Sequence, residues 1–224
     1  MPAREKISKS NKNTLTKLNS FRQVFAEFLA LPHLSALIIF VLIYNLAETQ
    51  LVKIVPLFLL DKISDGGLGF TIEQVGAVYG GIGTIGMLTG ILISGFLLSK
   101  VNLKQALAPV TLLVALTNFV YLLLCIFKIT SIALIGLSIA IAQIGYGLSN
   151  GIYMLYLLNT FTKGHYPMSL YAIGTALMGL GVLAGGAISG YIEEWLGYPG
   201  FFGWIIGLSF CIVFIAVYNV KKVL

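Results

Sequence analysis

Glu48 is the residue whose position most demands a chemical explanation. It stands in the stretch His33–Asp61, HLSALIIFVLIYNLAETQLVKIVPLFLLD, which begins as a lipid-soluble helix and then takes up Tyr44, Asn45, Glu48, Thr49, Gln50 and Lys53 before Pro56. A hydrocarbon core about 30 Å thick needs about 20 residues at about 1.5 Å each. Counted from Leu34, the midplane falls near Tyr44, with Glu48 about 6 Å beyond it and Lys53 about 13 Å beyond. Lys53 can lift its ammonium to the headgroups along its stem, whereas Glu48 is too short to do so. A carboxylate at that depth costs several kcal/mol unless it is protonated, paired or placed in a wet cavity. Tyr44, Asn45 and Glu48 share a face at i, i+1 and i+4. The helix is therefore expected to face a cavity, with Glu48 the candidate to carry a proton.

A second polar stripe lies in residues 131–160. Gln143, Tyr146, Gly147, Asn150, Tyr153 and Met154 recur at helical spacing, and Tyr146 falls near the midplane when counted from Ser131. Gln143, Tyr146, Asn150 and Tyr153 join Tyr44, Asn45 and Glu48 as candidate cavity and solute-binding residues. The alternative for each is interhelical hydrogen bonding with no ligand.

The groups needed for enzyme chemistry are missing. The chain has no H-x-x-x-H or H-E-x-x-H, no pair of intramembrane aspartates and no Ser/His dyad at a common depth. His33 and His165 fall at a membrane rim, and Cys125 and Cys211 sit in apolar runs as small hydrophobes. No phosphate loop exists, and Gly80-Gly81-Ile82-Gly83-Thr84 reads as packing. No catalytic residue, cofactor or metal ligand set is expected.

Hydrophobic residues make up 58% of the 224, charged residues 10%, and mean hydropathy is +0.96. That composition defines a multi-span membrane protein. Six apolar segments, at 33–60, 73–98, 105–127, 131–160, 167–194 and 201–220, are each long enough to cross. Lys100, Lys104, Lys163, Lys221, Lys222 and a basic lead fall on one side. The other side holds Lys62 and Lys128 with Asp61, Asp65, Glu73, Glu193 and Glu194. The positive-inside rule makes both termini cytoplasmic, and the net charge of +6 reports topology and not nucleic acid. Residues 1–20 read as a disordered basic lead. Residues 21–31, where Phe21, Val24, Phe25, Phe28 and Leu29 form one apolar face, read as a helix lying on the membrane surface.

The second and fifth segments share a pattern. Gly76, Gly80, Gly86 and Gly90 punctuate one; Gly181, Gly185, Gly186 and Gly190 punctuate the other. Small residues four apart let helix backbones approach closely, making these the expected packing and gating surfaces. Ile93-Ser94-Gly95 and Ile188-Ser189-Gly190 are 95 residues apart (190 against 95). An offset of three spans predicts a 3+3 inverted repeat, with the first and fourth spans equivalent. The third and sixth segments are the most uniformly apolar and are expected to be peripheral and lipid-facing, with Asn118 hydrogen-bonding a neighbouring helix.

These features resemble one half of a major facilitator superfamily transporter. Gly95-Phe-Leu-Leu-Ser99-Lys100-Val-Asn102-Leu-Lys104 is similar to that family's basic loop, with Ser99 in place of its acid and Asn102 in place of its glycine. The basic lead and surface helix resemble the linker that precedes the second half. Tyr44, Glu48, Pro56-Leu-Phe-Leu-Leu-Asp61 and Phe70-Thr-x-Glu73-Gln-Val-Gly76 resemble the AmpG-type muropeptide permease and acetyl-CoA transporter branch. So do Thr117-Asn118-Phe119 and the Gly197…Phe201-Phe202 entry to the last span. The resemblance implies an all-α bundle of six transmembrane helices that moves a small solute by alternating access. Its partners would be the bilayer, the solute and a second six-helix half, in the same longer chain, a second copy or a separate chain. A non-transporting sensor or truncated half would keep the same fold.

Overall fold

The computed structural model describes residues 21–223, and the reading of residues 1–20 lies outside the described residues. Helix α1 covers residues 21–29. Then come α2 (Leu34–Ile43), α3 (Leu46–Leu60), α4 (Ile72–Val75), α5 (Thr84–Lys100), α6 (Leu103–Thr117), α7 (Phe119–Phe127), α8 (Ile132–Phe161) and α9 (Pro167–Lys222). Among the described residues every regular element is helical, as a chain that satisfies its backbone polar groups in lipid requires. Five helical stretches are long and apolar enough to cross a membrane: Leu34–Leu60, Ile72–Lys100, Leu103–Phe127, Ile132–Phe161 and Pro167–Lys222. The fifth and sixth expected segments thus run on as one 56-residue helix, broken inside by Gly197 at φ 65° and ψ 172°.

Local chemistry explains the element boundaries. Thr71 caps α4 with a capping box, its hydroxyl accepting from the Gln74 amide while the Gln74 side chain accepts from the Thr71 amide. The glycine-rich run Gly76–Gly83 winds as a π-helix, and Thr84 donates back to the Gly80 carbonyl at 2.5 Å. The first span breaks at Tyr44–Asn45, between α2 and α3. The break leaves terminal α2 carbonyls to be satisfied, and the Tyr153 hydroxyl donates to that of Val41 at 2.6 Å.

Glycines set the two closest helix crossings. A Cβ on Gly86 would meet the backbone of Ala140, one on Gly90 the Ile144 carbonyl and one on Gly147 the Met87 carbonyl, so α5 and α8 touch backbone to backbone. A Cβ on Gly181 would meet the Leu42 carbonyl and one on Gly185 the Leu46 side chain, while that on Gly186 would rest against Lys53. Gly76, Gly80 and Gly190 meet nothing within the chain.

Contacts between helices order the two ends of the bundle. At one end α1 docks on the α8–α9 turn. Phe28 stacks on Phe161 at 6.3 Å, the His165 amide donates to Glu27 Oε1 at 2.6 Å, and the Tyr166 hydroxyl donates to Gln23 at 2.6 Å. The same end carries a groove of about 440 Å³ lined by Lys104 and Lys163. At the opposite end the Tyr198 hydroxyl donates to Asp61 at 2.5 Å and its ring packs on Phe58.

The apolar face of α1 is divided: Phe28 turns into the bundle while Phe21, Phe25 and Leu29 stay exposed, because the polar Gln23 and Glu27 dock with it. The third segment has one buried and one exposed face. It buries Leu107, Val110, Val114, Tyr121 and Leu124, and the more exposed helix is the second, Ile72–Lys100, with 22% of its apolar window buried against 44% for the third. Uniform apolarity cannot distinguish a lipid neighbour from a protein one, since lipid tails are as apolar as Leu.

Gly147→Ala is expected to lower stability by about 1–3 kcal/mol through overpacking. Gly76→Ala, whose new Cβ meets nothing, should stay within about 0.5 kcal/mol. Thermal unfolding of the two variants in detergent checks the contrast.

Candidate functional site

The sequence-predicted residues fall into two groups. The first surrounds Glu48. The α2–α3 break carries Tyr44 and Glu48 into the bundle, and the interruption between α6 and α7 at Asn118 brings a buried amide to meet them. Asn118 Nδ2 donates to Glu48 Oε1 at 2.8 Å and to Ser209 Oγ at 3.2 Å. Glu48 is 7% exposed, and its polar partner is an amide and not a cation. Ser149 Oγ donates to the Tyr44 hydroxyl at 3.2 Å, and Thr111 Oγ1 lies 3.4 Å from the same oxygen. Tyr44, Glu48, Thr111, Ser149 and Ser209 line a small cavity of about 20 Å³ together with Ala47, Val114, Ala115 and Ile212. That is room for about one water molecule.

The second group lies in a groove of about 360 Å³ between α3, the π-helical segment, α5 and α8. Gln143 and Tyr146 line it with Tyr79, Thr84, Met87, Val52, Gly80 and Gly83. Its size is in the ordinary range for a small-molecule pocket.

The remaining candidates have other surroundings. Asn150 is half-buried, and its amide donates to the Tyr146 carbonyl at 3.0 Å, within its own helix. Tyr153 is fully buried; its ring stacks on Tyr44 at 4.8 Å and its hydroxyl serves Val41. Asn45 is 5% exposed, and its buried Oδ1 has no hydrogen-bond partner. The two polar helices therefore touch through the Tyr44–Tyr153 stack, while Glu48 and Gln143–Tyr146 line separate spaces.

Sequence reasoning overlooked Thr111, Ser149, Ser209 and Tyr79 as lining residues. Ser and Thr hydroxyls donate cheaply to their own helix, as Thr111 does to Leu107 at 2.7 Å and Ser209 to Ile205 at 2.8 Å, so they stand anywhere in a span without a signal. Asn118 was expected to bond a neighbouring helix. It does so, and the group it bonds is Glu48. A lone amide in the most apolar segment was the available signal.

A chain whose described residues form only helices, with five stretches among them able to span a bilayer and a polar cluster inside, is a multi-pass membrane protein. The curated proteins it resembles are named as transporters. It is 27% identical over 204 residues to "Putative transporter AmpG 2" of Rickettsia prowazekii (strain Madrid E), covering 90% of this chain and 47% of that protein. It is 26% identical over 204 residues to the protein of the same name in Rickettsia typhi (strain ATCC VR-144 / Wilmington), covering 91% and 48%. It is also 26% identical over 166 residues to "Putative transporter AmpG 1" of Rickettsia bellii (strain RML369-C), covering 74% and 38%. The similarity to the AmpG branch read from the sequence is therefore met, and the chain spans about half the length of these relatives. No protein-family model matches it.

Asn118→Leu should cost about 1–3 kcal/mol, because it strands a buried acceptor on Glu48. Glu48→Leu with Asn118→Leu should lose less than the sum of the two single changes, a coupling that a double-mutant cycle of thermal unfolding in detergent measures.

Proposed function

We propose that the chain forms one six-helix half of a secondary transporter of the major facilitator type, moving a small solute by alternating access. The observation that carries this reading is a carboxyl group buried among apolar helices and held by an amide, in a chain similar to proteins named as transporters. A structural acid would be expected to find a cation; one that must gain and lose a proton is better served by neutral partners.

Six crossings follow from dividing α9 at Gly197. A straight 56-residue helix would be about 84 Å long, nearly three hydrocarbon thicknesses. Contacts along it support a reversal: Gly181 lies at Leu42, Gly185 at Leu46 and Tyr198 at Asp61, after which Ser209 returns to the level of Glu48 through Asn118. Asn219 then accepts from Tyr156 at 3.0 Å, and the Tyr156 ring packs on Phe40 at 4.4 Å.

The inverted repeat has support of the same kind. Gly86 packs at Ala140 and Gly181 at Leu42; Gly90 packs at Ile144 and Gly185 at Leu46. The glycines are 95 apart in each case (181 against 86, 185 against 90), and their partners are 98 apart (140 against 42, 144 against 46). Ser94 and Ser189 are both buried, and both donate to the carbonyl three residues back. The second span thus sits on the fourth as the fifth sits on the first.

In this reading the Gln143–Tyr146 groove belongs to the solute path, and Glu48 couples it to a proton. The solute is a sugar-peptide of muropeptide class, as the resemblance implies. The glycines that meet nothing, Gly76, Gly80 and Gly190, face a second six-helix half, which completes the pathway whether it lies in the same longer chain, a second copy or a separate chain. The end that carries α1, Lys104 and Lys163 is cytoplasmic, in a bacterial inner membrane, with Phe21, Phe25 and Leu29 of α1 in the headgroup layer.

In proteoliposomes holding the complete transporter, Glu48→Gln should abolish uptake of a disaccharide-peptide driven by a pH gradient while leaving equilibrium exchange of that solute in place; gradient-driven uptake at the unsubstituted rate would overturn the coupling role. In a chain with Cys125 and Cys211 replaced by Ala, Glu194→Cys should react with a membrane-impermeant maleimide added to spheroplasts, and Lys163→Cys should react only after lysis.

A further inference from the structure

The cavity beside Glu48 has an unusual donor and acceptor balance. Of the four hydroxyls around it, three have already committed the one proton each has to give. Thr111 donates to the Leu107 carbonyl, Ser209 to the Ile205 carbonyl and Ser149 to the Tyr44 oxygen. Asn118 gives both its amide protons, one to Glu48 Oε1 and one to Ser209 Oγ. What remains is lone pairs on Thr111, Ser149 and Ser209, the Glu48 carboxyl and the Tyr44 hydroxyl with its proton. A space of about 20 Å³ with one acidic group, several acceptor oxygens and a single uncommitted hydroxyl proton suits an occupant that brings positive charge and little volume.

We propose that this cavity is a site for a single small monovalent cation, of sodium or lithium size, competing with the proton for Glu48. Hard cations are held by oxygen ligands, and carboxylate, hydroxyl and phenol oxygens converge here from four helical segments: α3 (Glu48) with the adjoining Tyr44, α6 (Thr111), α8 (Ser149) and α9 (Ser209). One carboxylate neutralises one charge, whereas a divalent ion would leave a net charge buried among apolar side chains at heavy cost. Room for about one water admits a single ion without its hydration shell, and the strong field of a carboxylate favours the smaller alkali cations over potassium. The ionisable side chains that sense Glu48 are the phenols Tyr44, Tyr79, Tyr121 and Tyr146. Phenols are neutral at neutral pH, so the carboxyl is the group that exchanges proton for cation.

The inference rests on the reading of Glu48 as the coupling acid, but its test needs no transport. The full chain, purified in detergent, is unfolded thermally in NaCl, LiCl, KCl or choline chloride at equal ionic strength. NaCl and LiCl should raise the midpoint in a saturable way, and choline chloride and KCl should not. The half-effect concentration of NaCl should rise about tenfold per pH unit on the acid side of the carboxyl's titration, since the ion must displace the proton. Glu48→Gln, which keeps an acceptor for Asn118, should abolish the NaCl effect, and Thr111→Val should weaken it several-fold. An equal midpoint in NaCl and choline chloride, a KCl effect as large as that of NaCl, or an undiminished NaCl effect in Glu48→Gln would each overturn the proposal. Proton-driven uptake could survive any of those results, and cation binding without uptake would instead remove the transport reading.

Discussion

The arrangement of this bundle turns on the burial of one carboxyl group. Glu48 is too deep to reach water along its own stem, so its partner comes from another helix, and both helices that meet there are locally irregular. The first span breaks at Tyr44–Asn45 just before Glu48, and the third breaks at Asn118, the residue that meets it. Asn118 also holds Ser209, which ties the last helix to the same point. Tyr44, on the other side of the cavity, is fixed from above by the Tyr153 ring and from the side by Ser149. A polar centre held from several helices needs firm surroundings. The fully buried aromatics Phe40, Tyr153 and Tyr156 supply them on one side.

Glycine provides the other half of that rigidity. Where α5 crosses α8, and where the first limb of α9 crosses α2 and α3, side chains are too small to keep the backbones apart. In lipid, close contact of this kind replaces the hydrophobic drive that would hold helices together in water. Gly86 and Gly90 make one crossing and Gly181 and Gly185 the other, each with glycines four residues apart. The glycines of the same stripes that meet nothing divide each helix into a face fixed within the bundle and a face left bare.

Much of this was legible in the sequence, for reasons that differ by element. The span limits were readable because apolar runs end at Gly, Pro and charge. The 73–98 and 131–160 segments match Ile72–Lys100 and Ile132–Phe161 to within two residues at each end. Glu48 and Tyr44 stood out by depth alone. Asn118 carried a signal, but its partner did not, because an amide in an apolar helix has several neighbours to choose from. The serines and threonine of the cavity were silent, since a hydroxyl that bonds its own helix is as cheap facing lipid as facing an acid. Gln143 and Asn150 share a helical face, yet one lines the open groove and the other spends its amide on its own backbone. Helical periodicity assigns a face and cannot assign what lies across from it. The docking of α1 through Gln23 and Glu27 was hidden for a related reason: polar residues opposite an apolar stripe ordinarily read as a solvated side.

The π-helical run at Gly76–Gly83 has a mechanical consequence. A π turn holds more residues than an α turn, so the chain on its two sides is phased differently from a continuous α-helix. If the surplus residue moved along the helix, each side chain it passed would swing by about 100° while both ends of the span stayed in place. Tyr79 lies within that run and lines the groove beside Gln143 and Tyr146. The glycines around it carry no side chains to obstruct such a rotation. Such a shift would turn an aromatic ring into or out of the groove without sliding the helix along its axis.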